Sequence, residues 1–156
     1  MKATQILLLA LLLTFASCGS SDKKQTESTE TKTTETVKPK SMLADPMDNK
    51  GIGPVKSVTL GATIDETMAA HGKEVYEAKC TACHKAETKF IGPAPKGILE
   101  RRSPEWIMNM ILNPEEMVQK DPDAKKLLME YNGSPMANQN LTEEEARAVL
   151  EYFRTL

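Results

Sequence analysis

"EAKCTACHKAE", residues 77–87, sets two cysteines and a histidine within five positions of a 156-residue chain that holds only three cysteines and two histidines. Such a cluster serves as a redox dithiol, as part of a zinc site or as an attachment point for haem. The residues around it decide among the three, and with them the fold.

Working outward, every neighbouring segment reads as helix. Thr63 with Glu66 fits a capping box, and Ala69, Gly72, Val75 and Tyr76 recur at helical spacing toward Cys80. Downstream, Ser103 and Pro104 fit the cap and first residue of a helix that turns Ile107, Met110 and Ile111 inward and stops at Asn113-Pro114. Asp121-Pro122 opens a third helix, which "NG" at 132–133 closes. A capping box from Thr142 to Glu145 opens the last, with Ala146, Val149, Leu150 and Phe153 on one stripe. No run shows period-two alternation, and there is no internal repeat. The prediction is an all-α domain over residues 66–156, four helices around a core small enough to gain from a large apolar cofactor.

That context narrows the cluster. A thioredoxin-type dithiol sits where a strand meets a helix, and this chain offers no strands. A structural zinc site needs four ligands, and beyond Cys80, Cys83 and His84 only the distant His71 is on offer. Covalent haem remains, with CxxCH as its signature. Cysteines three apart at a helix end project to one side, where each can bond a vinyl group of one porphyrin edge, and the histidine that follows reaches the iron.

The blocks "HGKEVYEAKCTACHK", "FIGPAPKGI", "RRSPEWI" and "NGSPMANQNLTEEEARAVLEYF" together resemble a single-haem class I c-type cytochrome, in the family's order and over residues 66–156. The resemblance implies that the first and last helices cross, Gly72 and Tyr76 packing on Val149, Tyr152 and Phe153. It places the sixth iron ligand at Met136, with Met117 in reserve; the family usually writes Met-Pro where this chain has Pro135-Met136. The other methionines read as core or lie before the domain. Pro93 resembles the proline whose carbonyl orients the haem histidine. Trp106 and Arg101, or Arg102, are candidate donors to a haem propionate. A His–Met iron makes an electron carrier, passing electrons from a quinol-oxidising complex or another cytochrome to a terminal reductase. The alternative is a haem enzyme or gas sensor with an open sixth site, peroxidase-like, and a third reading is a lipoprotein whose haem serves structure alone.

The chain begins "MKATQILLLALLLTFASC", a positive start and an apolar run too short to remain as a membrane span. Residues 1–17 read as a lipoprotein signal peptide and Cys18 as the lipid-bearing cysteine, which leaves too few thiols for a disulfide framework. Gly19 carries no inner-membrane retention signal, which favours an outer-membrane, periplasm-facing site. Residues 19–40 hold one large apolar residue, Val37, and read as a disordered tether; residues 41–65, richer in apolar residues, Gly and Pro, read either as an arm on the domain or as loose chain. Treated as flexible, residues 19–65 reach roughly 35–40 Å. They carry seven acidic and seven basic side chains, and residues 66–156 carry fifteen and twelve. A domain near −3 has no basic excess for nucleic acid, yet Lys79, Lys85, Lys89 and Lys96 gather around the cysteines.

Overall fold

The architecture is given by a computed structural model, which describes residues 45–156. The expected signal peptide (residues 1–17), Cys18, the expected tether (19–40) and the first four residues of the possible arm (41–44) lie outside the described residues. Among the described residues five α-helices follow one another: α1 Glu66–Lys79, α2 Pro104–Leu112, α3 Pro114–Lys120, α4 Pro122–Glu130 and α5 Glu143–Phe153. A single 3-10 turn, Ile98–Glu100, lies before α2. Among the described residues there is no strand, and no helix is long and apolar enough to cross a membrane.

The chain chose its caps by local chemistry. Ser103, Asp121 and Thr142 cap α2, α4 and α5 as expected, and Glu145 returns the Thr142 bond to complete the capping box. The first helix differs from expectation: Asp65, not Thr63, is the cap, its carboxylate accepting from Met68 N at 2.9 Å. A cap must directly precede the first helical residue, and Thr63 stands two positions too early. Pro114 ends α2 as expected but also begins α3, a helix absent from the sequence reading. A proline that cannot continue one helix is well suited to the first position of the next. At the end of α4, Asn132 and Gly133 take φ of 57° and 72°, and Gly133 N–H returns to Leu128 O at 2.8 Å.

α1 crosses α5 at Gly72. A Cβ there would stand 1.9 Å from Ala148 O, so only hydrogen lets the backbones approach this closely. One turn on, Tyr76 meets Tyr152 at 5.4 Å and Phe153 edge-on at 5.8 Å between ring centroids. Glu151, 1% exposed, closes the seam by accepting from Asp65 N–H at 2.9 Å and pairing with Arg147 and Arg154.

Residues 45–65 lie packed on the domain as an arm. The buried Asn109 of α2 accepts from Val55 N–H at 3.0 Å and donates to Val55 O and Lys50 O, both at 2.9 Å. Glu105 accepts from Val58 N–H and Lys50, and Val55 joins the core at 3% exposure. The arm roofs the face of α2 and α3 around Met117, whose sulfur accepts from Ile52 N–H.

Candidate functional site

α1 stops at Lys79, and the next residues wind on as turns. Cys83 N–H and His84 N–H both return to Cys80 O, at 3.1 and 2.9 Å. The turn sets Cys80 and Cys83, both unpaired thiols, and His84 along one side of a single apolar cavity. Burial pushes the Cys80 thiol up to about 11. Gly92 then brings its own backbone against the imidazole: a Cβ there would fall 2.4 Å from His84 Cε1. The next carbonyl, Pro93 O, lies 2.8 Å from His84 Nδ1. A carbonyl only accepts, so Nδ1 carries a proton, and in the neutral imidazole this tautomer leaves the Nε2 lone pair free.

The opposite walls come from α2, through Trp106, Ile107, Met110 and Ile111, and from α4, through Leu127 and Leu128. The loop between α4 and α5 closes the cavity with Pro135, Met136 and Ala137. Within this apolar lining Tyr76 O–H is, among the described residues, the one buried side-chain polar atom without a hydrogen-bond partner. Desolvation first, then the neighbouring Cys80 and Tyr152, raises its pKa to about 12, so it stays a neutral donor. Also among the described residues, no three His, Cys, Asp or Glu side chains converge on one point as metal ligands. Among the described residues the cysteine cluster therefore lacks the partners of a structural zinc site.

A scan of family models matches "Cytochrome c" to residues 69–156. The chain belongs to the cytochrome c family. Cytochromes c bind covalent haem c, typically one per domain, and the family supports a haem-binding electron carrier. Among solved structures, the cytochrome c from Rhodothermus marinus is 48% identical, aligned over 66% of this chain and 88% of that one with a TM-score of 0.64. An engineered form of it, Rma TDE, is 47% identical over 66% and 89% with a TM-score of 0.63. The same engineered protein bound to a carbene intermediate aligns at 47% identity over 66% and 88%, with a TM-score of 0.61. Among curated proteins none matches the chain.

The residues of this cytochrome c fit the cofactor. Two thiols and an imidazole with Nε2 free share an apolar cavity, and the backbone leaves space at Gly92 where a side chain would strike the imidazole. The methionines sort by position. Met108 and Met117 are fully buried core residues and neither lines the cavity. Met117, the expected reserve, has its sulfur engaged by Ile52 N–H beneath the arm. Met110 and Met136 do line the cavity. The sequence reading assigned Met110 to core because it shares a face with Ile107 and Ile111; that face is the cavity wall.

The expected propionate donors are otherwise engaged. Trp106 Nε1–H donates to the buried Asp121 carboxylate at 3.1 Å, so its indole forms wall rather than a free donor. Arg101 donates to Lys96 O and Ala94 O, both at 3.1 Å, and so braces the loop that carries Pro93. Arg102 lies over the Trp106 ring at 5.1 Å. Sequence reasoning passed over Gly92 and Tyr131, which also line the cavity. Gly92 could have been found from its place directly before Pro93, where a carbonyl must come close to an imidazole. Tyr131 gave no signal.

Proposed function

We propose that this cytochrome c is a lipid-anchored, mono-haem electron carrier whose iron is held by His84 and Met136. The observation that carries the reading is the 2.8 Å contact between His84 Nδ1 and Pro93 O, on a ring that lines the same cavity as Met136. Cys80 and Cys83 would each bond a vinyl group through sulfur. Pro93 O holds the imidazole in one tautomer and raises its basicity, the usual service of an outer-shell carbonyl. When bound, the haem supplies a one-electron Fe(III)/Fe(II) couple, its potential raised by a thioether ligand. The apolar walls contributed by α2 and α4 keep water from the centre. His84 and Met136 would hold the iron in both oxidation states, which would keep rearrangement, and so the barrier to electron exchange, small.

Cys18 would carry the lipid, holding the domain at the periplasmic face of a membrane, with Gly19 favouring the outer one. The tether then supplies local concentration in place of tight binding. A quinol-oxidising complex or another cytochrome would donate, and a terminal reductase would accept. The test is a redox titration of the holoprotein beside Met136→Ala. A reversible one-electron couple in the wild type, falling by on the order of hundreds of millivolts in the variant, supports the carrier. An unchanged potential in the variant would remove Met136 from the iron.

A further inference from the structure

The chain has one tryptophan, Trp106, and it forms part of the cavity wall. Its indole N–H reaches the carboxylate of Asp121, a residue 2% exposed. As the cap of α4, Asp121 needs only one acceptor oxygen, and Oδ1 takes the Ala124 N–H at 2.8 Å. A serine or an asparagine would cap the helix as well and bury no charge. Capping therefore leaves the charge unexplained. We propose that Asp121 is a positioning residue for the haem, fixing Trp106 as its wall and lowering its reduction potential, with Asn49 of the arm holding the carboxylate in place. The proposal rests on the electron-carrier reading and adds to it a residue that sets the potential.

Each hydrogen bond to the carboxylate comes from a donor. Oδ1 takes the Trp106 indole N–H at 3.1 Å beside the Ala124 amide, and Oδ2 takes Asn49 Nδ2 at 2.8 Å. Three donors suit the ionised, acceptor-only form. Asn49 is itself held from both sides. Its backbone oxygen accepts from Ser103 Oγ at 2.5 Å, its Oδ1 accepts from Gly51 N–H at 2.9 Å, and its amide also reaches Asp123 Oδ2 at 3.0 Å. Gly51 lies against the indole, where a Cβ would stand 3.3 Å from Trp106 Cδ1. The ring is thus fixed at its N–H edge by Asp121, backed by the arm and covered by Arg102 at 5.1 Å. The family match begins at residue 69, so Asn49 and Gly51 lie outside it while Trp106 and Asp121 lie within. The arm lines no part of the cavity and yet braces one of its walls.

Electrostatics fixes the sign. Oxidised haem iron carries one more positive charge than reduced, so a buried carboxylate behind the wall favours the oxidised state and lowers the potential. Water admitted through a loosened wall also favours the oxidised state. A variant that only loosens the wall therefore lowers the potential, and one that removes the charge while keeping the wall raises it. Asp121→Asn keeps the cap and an oxygen for the indole N–H, and it leaves Asn49 the Asp123 carboxylate as an acceptor.

The test pairs a redox titration of the full-chain holoprotein with proton–nitrogen NMR of its single indole N–H in the reduced state. Every sample carries Cys18→Ser, so that no acyl chain affects its behaviour in solution. Asp121→Asn is expected to raise the potential, shifting the reduction equilibrium about tenfold, or ~59 mV for one electron. Its indole N–H is expected to stay as slow to exchange with solvent as in wild type. Asn49→Ala is expected to do the reverse, lowering the potential and speeding indole exchange, because the carboxylate loses a donor and the wall loses its brace. A potential that falls in Asp121→Asn would reduce the residue to packing and overturn the claim on charge, and an unchanged potential would overturn it equally. Unchanged indole exchange in Asn49→Ala would overturn the part given to the arm. Failure of the carrier reading looks different: wild type itself would give no reversible one-electron titration, while the indole exchange of Asn49→Ala would still report whether the arm braces Trp106.

Discussion

Three side chains, or their absence, hold the design at the residue scale. At Gly72 the clash is with backbone, which cannot swing aside, so Gly72→Ala must push α1 from α5. The expected loss is about 3 kcal/mol, at the upper end of overpacking costs, read by denaturant unfolding of the holoprotein. At Gly92 the clash is with the His84 ring, so Gly92→Ala is expected to disturb the Pro93 contact and to shift the reduction potential more than the unfolding free energy. Glu151 makes a pH prediction. Burial raises its pKa, but the Asp65 N–H and the Arg147 and Arg154 guanidiniums outweigh it and hold the carboxyl below the usual glutamate range. A lowered folded pKa gives stability that is present above the unfolded value, about 4.3, and is lost as pH falls through the folded one. Glu151→Gln is therefore expected to cost stability near neutrality and to flatten the acid limb of a stability–pH curve. An unaltered acid limb would show that the seam does not depend on this charge.

At the scale of elements, the arm is the part that sequence could not place. Its apolar residues are too few to declare a partner, and Asn109, which holds it, reads as an ordinary helix residue in "EWIMNMIL". Only the fold reveals that this amide satisfies Val55 and Lys50 backbone groups more than fifty residues away. Asn109→Ala leaves those groups unpaired in a buried site, and about 2 kcal/mol of destabilisation is expected. Faster proteolysis within residues 45–60, read by mass spectrometry, is the accompanying sign. The helices themselves were legible because Ser103, Asp121 and Thr142 carry local chemistry that acts over three residues. α3 was missed for the same locality: Asn113-Pro114 reads equally as an end or a beginning. The partner of Trp106 was not legible because Asp121 caps a different helix.

For the whole molecule, the CxxCH turn made the cofactor legible, since it needs only five consecutive residues. The second axial ligand did not have that advantage. Met110 and Met136 reach the same cavity from a helix and from a loop, and the choice of Met136 rests on its place after "NGSP" and on the resemblance. The proposed lipid anchor belongs to this scale too. Cys18→Ser is expected to move the mature protein from the membrane fraction to the soluble periplasm and to remove an acyl mass from its N-terminal peptide. The most direct test of the central claim is the visible spectrum of the reduced holoprotein with and without carbon monoxide, for wild type, Met136→Ala and Met110→Leu. The expected result is a low-spin c-type spectrum indifferent to the gas in wild type and Met110→Leu, with Met136→Ala alone becoming high-spin and binding it. Ready binding of carbon monoxide by the wild type would contradict the His84–Met136 carrier and leave an enzyme or sensor with an open iron site.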